Sequence, residues 1–167
     1  MAKIILAKDL DRLIRDLRKT QVDLASIMGK SAYKGAEYMA DELKKSLQAL
    51  PTYNGKNGFP KYVYNGHKLK GLSSIQKRDV IEAFGISKMM NTNGYIHVKI
   101  GFDGYGSYET NAHPWGIPNQ LLMRSLEKGT SFLKKNPVIT TTVKREKKAT
   151  EKKLEEAFIN EIKKEIK

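Results

Sequence analysis

Apolar positions along the chain change their period several times, and each change marks an element. Asp9–Arg18 sets Leu10, Leu13, Ile14 and Leu17 at the i, i+3, i+4, i+7 spacing of one helix face, with Asp9 as its cap. From Thr20 to Leu50 the positions Ala25, Met28, Ala32, Ala36, Met39, Leu43, Leu47 and Leu50 advance by three or four residues each time. Their mean step is about 3.6, the α-helical repeat. If continuous, that helix is roughly 45 Å long at 1.5 Å per residue. One small sheet cannot cover such a length, so part of the helix is expected to meet another subunit. Its first half is lined by Ala25, Gly29, Ala32, Gly35 and Ala36, where a second backbone can come close, and its second half carries bulky Met39, Leu43 and Leu47. The small-residue stripe fits a subunit contact and packing against the C-terminal helix equally well.

Pro51 ends the helix, and 51–71 holds three Asn-Gly turns, two prolines and the aromatics Tyr53, Phe59, Tyr62 and Tyr64, which reads as an extended arm. A short helix is expected within Gly71–Phe84, with Ser73-Ser74 as caps. Ile86–Met90 and Tyr95–Phe102 flank Asn91-Thr92-Asn93-Gly94 as a hairpin, and Ile96, Val98, Ile100 and Phe102 alternate with polar or small residues so that one face is buried. A hairpin alone is too small to be stable, so strands from Lys61–Tyr64 or a neighbouring protomer are expected to extend it. Trp115 and Pro118 are expected to fix the loop before a helix over Asn119–Lys128, which Gly129 stops. Thr130-Ser131 follows. Phe132 and Leu133 are expected to plug the core, and Asn136-Pro137 caps and opens a helix running from 137 to 167. Within that helix Lys144–Lys153 has Ala149 as its sole apolar residue, whereas Leu154, Phe158, Ile162 and Ile166 recur every fourth position. The class predicted is α+β, with long N- and C-terminal helices packed on a small, mainly antiparallel sheet, and 167 residues suit a single domain.

Charge adds a partner to this picture. Lys and Arg number 31 against 18 Asp and Glu, giving +13 and a pI near 9.8, so the surface facing the chain is expected to be acidic: nucleic acid or an acidic protein ring. The candidate DNA-facing residues are Lys144, Arg145, Lys147, Lys148, Lys152 and Lys153, and the alternative for that run is a solvated helix face. With no cysteine the chain has neither a disulfide framework nor a thiolate metal site. No apolar run reaches the roughly 20 residues that span a bilayer, and Met1–Leu10 is too short in its apolar core for a signal peptide. A protein made and used inside the cell is expected.

Catalytic patterns are wanting. His67, His97 and His113 form no i, i+4 pair, and serines lack a G-x-S-x-G elbow. The glycine-rich Gly101-Phe102-Asp103-Gly104-Tyr105-Gly106 has the wrong order for a dinucleotide fingerprint and opens no helix at which phosphate could sit. No enzyme activity, no cofactor and no metal are expected.

Order and spacing of several short motifs carry a resemblance. Glu127-Lys128-Gly129-Thr130-Ser131-Phe132 and Asn136-Pro137-Val138, followed by a basic helix, resemble the signature of the small head–tail joining family of long-tailed bacteriophages, also called neck or tail-completion proteins. Gly71-Leu72, Asp79-Val80-Ile81, Gly85-Ile86, Val98–Tyr105 and Gly116–Gln120 extend the likeness from about Tyr33 to the C-terminus. Val138 stands where the family tends to place phenylalanine, and Pro51–Tyr64 has no counterpart. The resemblance implies a structural virion subunit without enzyme activity. Such a subunit is made in the host cytoplasm and located in the virion neck, where it forms a homo-oligomeric ring between head connector or head-closure proteins and tail proteins. Non-specific contact with genomic DNA and no contact with membrane go with it. On this reading Ala25, Gly29, Ala32, Ala36, Tyr53, Phe59, Tyr62, Tyr64, Phe158 and Ile162 are candidate contacts to subunits or neck proteins. The alternative is a basic nucleic-acid-binding protein using Lys144–Lys153 and the aromatic arm.

Overall fold

The structure, a computed structural model, describes residues 23–53, 58 and 68–165. The helix expected over Asp9–Arg18 and the strand expected over Lys61–Tyr64 lie outside the described residues, as do Phe59, Tyr62 and Tyr64. In chain order the elements are α1 (Leu24–Gln48), α2 (Ser74–Glu82), β1 (Phe84–Ile86), β2 (Met90–Thr92), β3 (Tyr95–His97), β4 (Ile100–Phe102), α3 (Asn119–Lys128) and α4 (Val138–Glu165). The class is α+β, with long helices towards both ends and antiparallel strands between them. Two compact units divide the chain, and both long helices contribute to both.

One unit holds 39–87 and 100–146. Its core is Leu47, Leu50, Leu72, Val80, Leu122, Met123, Leu126 and Leu133, edged by Leu69, Phe84, Phe102, Ile117, Val138 and Ile139. Around that core side chains close the start of α2 and the end of α1. Ser73 caps α2 in a reciprocal box: its hydroxyl accepts the Gln76 N–H at 3.2 Å, and the Gln76 amide oxygen accepts the Ser73 N–H at 3.1 Å. Lys77 Nζ donates to the carbonyls of Gln48 and Leu50 at 2.6 and 2.7 Å, satisfying groups left free where α1 stops before Pro51. β1 and β4 pair antiparallel from Phe84↔Phe102 to Ile86↔Ile100, with the Phe84 and Phe102 rings 5.2 Å apart. Thr142 is buried on α4 and its hydroxyl donates to that of Ser46 on α1 at 2.9 Å.

The other unit holds, among the described residues, 23–38, 88–99 and 147–165. Ile27 from α1 packs with Phe158 and Ile162 from α4, flanked by Leu24 and Met28. Gly35 faces Leu154, and Lys30 pairs with Glu161 at 3.3 Å. In the first half of α1 the buried residues are Ile27, Gly29, Ser31, Gly35 and Ala36, so the expected stripe is buried at Gly29, Gly35 and Ala36, half-buried at Ala32 and exposed at Ala25. The expected stripe does not include Ser31. Ser31 is buried because its hydroxyl donates to the Ile27 carbonyl at 2.7 Å, so its polarity is absorbed within the helix.

The expected single hairpin is two ladders. β2 pairs with β3 from Met90↔His97 to Thr92↔Tyr95, and the connection is the two residues Asn93-Gly94 in place of the expected four. Both have positive φ, +52° and +83°, the twist that two-residue hairpins favour, and Asn91 Oδ1 accepts the Gly94 N–H at 3.0 Å. Between the ladders three residues, Ser87–Met89, stand against two, Val98 and Lys99. One residue too many cannot stay in register, so pairing breaks as at a bulge. Met89 lies against Gly29, at the position a Cβ there would occupy.

Candidate functional site

The segment from Glu127 to Thr140 is built by hydrogen bonds that leave one large side chain outside. α3 ends at Gly129, whose φ of +76° favours glycine and whose N–H donates to the Ser125 carbonyl at 2.8 Å. Thr130 then closes a short turn: its N–H donates to the Leu133 carbonyl at 2.9 Å, and its hydroxyl accepts the Leu133 N–H at 3.0 Å. Beyond it the Leu69 N–H donates to the Phe132 carbonyl and the Lys134 N–H to the Leu69 carbonyl, both at 2.8 Å, a parallel bridge between Leu69 and Leu133. Extended backbone alternates its side chains. Leu133 is consequently in the core at 4% exposure, and Phe132 points outward at 58%. The expected plug is Leu133 alone.

Glu127 performs the capping expected of Asn136. Its carboxylate accepts the Ile139 N–H at 2.6 Å, the Thr140 N–H at 3.2 Å and the Thr140 hydroxyl at 2.7 Å, so a charge from the end of α3 sits on the free N–H groups that open α4. The helix starts at Val138, one residue after the proline.

A second pinned segment leads into α3. Asp79 of α2 is buried, and its carboxylate accepts the Ser107 N–H at 2.6 Å and the Ser107 hydroxyl at 3.0 Å. Gly106 and Gly116 let two backbones touch, since a Cβ on Gly116 would collide with the Gly106 carbonyl oxygen. Asn119 is buried too; its Nδ2 donates to the Asp103 carbonyl at 3.0 Å, while its Oδ1 has no partner among the described residues. Asp79 and Asn119 are thus structural supports for the glycine-rich passage. Two rings stand exposed on it: Tyr105, bridged to Pro118, at 66% and Trp115 at 84%. Trp115 does not fix the loop as expected; the Gly106–Gly116 contact and the Asp79 carboxylate do.

Other proposed site residues scatter. Phe158 and Ile162, expected at an interface, are 2% and 5% exposed inside their own unit, so they are core residues of this chain. Gly29 and Ala36 are buried as well, Ala32 is half-buried, and Ala25 is open. The small-residue stripe meets Met89 and Leu154 of the same chain at Gly29 and Gly35. Tyr53 is exposed beside the place where the ends of the expected arm meet, with its N–H on the Leu72 carbonyl at 2.7 Å.

Lys144, Arg145, Lys147, Lys148, Lys152 and Lys153 are all exposed, but most have partners: Arg145 pairs with Glu146, Lys147 with Glu151, and Lys152 and Lys153 with Glu156. Glu161, between Lys164 and Lys30, has its carboxyl held below the usual range, first by the hydrogen bond from Lys164. Among the described residues no group of three His, Cys, Asp or Glu could hold a metal ion, and no helix is long and apolar enough to cross a membrane. No protein-family model, no curated protein and no solved structure matches the chain.

Proposed function

We propose that the protein is a structural subunit of a phage neck, joining head connector and tail as part of a ring, and not an enzyme. The observation that carries this reading is the exposure of Tyr105 and Trp115 on a segment held by backbone hydrogen bonds and the Gly106–Gly116 contact. Rigid aromatic side chains bury large area at little entropic cost and serve as anchors at protein interfaces. The motif resemblance supplies the kind of assembly. Virion localisation, homo-oligomerisation and contact with connector and tail proteins follow from the same proposal. The test is the mass of the full-length protein, alone and mixed with candidate connector and tail-tube proteins. A ring in at least one mixture is expected. Tight, sequence-selective duplex binding at about 150 mM salt, with no ring under any condition, would overturn it.

A further inference from the structure

The bridge between Leu69 and Leu133 sorts its neighbours by face. Leu69 and Leu133 turn into the core, while Lys68, Lys70, Phe132 and Lys134 are all exposed, and Lys135 follows, exposed as well. Residues more than 60 positions apart in sequence thereby place an aromatic ring among lysines. No ion pair engages these lysines among the described residues. The reason is local: the sequence has no Asp or Glu from 68 to 78 or from 128 to 145, and Glu127, the nearest acid, is spent on the start of α4. In the expected DNA-facing run, by contrast, four of the six cations pair with a glutamate: Arg145 with Glu146, Lys147 with Glu151, and Lys152 and Lys153 with Glu156.

We infer that Lys68, Lys70, Phe132 and Lys134 form a single-stranded nucleic-acid-binding patch, the lysines holding phosphates and the Phe132 ring stacking on a base. Three features favour this partner. Uncompensated lysines around one exposed ring provide the two interactions that single strands need, with a repeating anion and with a flat apolar face. A duplex offers phosphates but keeps its bases stacked, which leaves Phe132 without a role. An acidic peptide added as a strand is blocked at the outer edge, since the Leu133 N–H and carbonyl are both taken by Thr130. Preorganisation helps, as the turn fixes the ring outward before any ligand arrives. This patch stands independently of the neck assembly.

The test is fluorescence anisotropy of the full-length protein with a labelled thymidine single strand of about 20 nucleotides and a duplex of equal length, across a salt series. The single strand should bind more tightly than the duplex at about 150 mM salt. Phe132→Ala should weaken the single strand about tenfold and the duplex less than about twofold. The triple change Lys68→Ala, Lys70→Ala, Lys134→Ala should lower the log–log salt slope by about 2, near 0.7 for each phosphate no longer neutralised. The pair Lys144→Ala, Lys148→Ala on α4 should change neither. Photocrosslinking of a bromodeoxyuridine-containing strand to the unaltered protein should place the adduct at Phe132. Equal binding of duplex and single strand, an unchanged slope in the triple variant, or an equal loss in the α4 variant would each overturn the assignment. Capture of a polyglutamate peptide by the patch with no strand bound would reassign it to an acidic protein.

Discussion

Phe132 and Leu133 are adjacent, both large and apolar, yet one is a core residue and the other a surface one. Composition cannot separate them, since either would fill the same space; the Leu69 bridge does, by fixing which of two alternating side chains faces inward. Leu133→Ala should therefore cost about 2–5 kcal/mol, and Phe132→Ala less than about 0.5 kcal/mol, in denaturant unfolding. Equal losses would mean that the ring is buried. Glu161 gives a pH-dependent prediction. Its carboxyl is shifted down in the folded chain by Lys164 and Lys30, so the stabilisation is present above the ordinary carboxylate range and is lost as pH falls through the lowered value. Melting temperatures of the wild type and Glu161→Gln should differ slightly at neutral pH and converge in acid. A constant offset down to about pH 3 would contradict the linkage.

Helix positions were legible from periodicity where caps agree with it. α2 begins at its serine cap, and α3 spans Asn119–Lys128 as expected, because Gly129 stops it at a positive φ. The start of α4 was less legible: Asn136-Pro137 is a good local signal, but the partner of the free N–H groups is Glu127, which only the fold brings there. Glu127→Ala should cost about 1–2 kcal/mol, with Glu127→Gln losing less because one acceptor remains. Identical urea midpoints for wild type and Glu127→Ala would show that the cap is dispensable. The strands were misjudged for a related reason. Alternation from Tyr95 to Phe102 continues through Val98 and Lys99, and nothing in it reveals that the partner segment carries one residue more.

On the scale of the whole molecule, Trp115→Ser should leave the melting temperature unchanged within error while lowering the mass of any ring the protein forms, because the indole of Trp115 touches little of its own chain. An unaltered assembly would move the interface to another surface. The net charge of +13 was plain from composition, as were the α+β class and the periods of the two long helices, for these depend on local spacing and counts. Which cations remain available was decided in three dimensions: glutamates one turn away neutralise most of the α4 lysines, while Lys68, Lys70 and Lys134 meet no carboxylate among the described residues. Likewise Phe158 and Ile162, candidate contacts to a subunit or neck protein, are covered by Ile27 of the same chain. A sequence states the period of a face, which local geometry enforces; what lies opposite that face depends on residues distant along the chain, and only the folded structure brings them together.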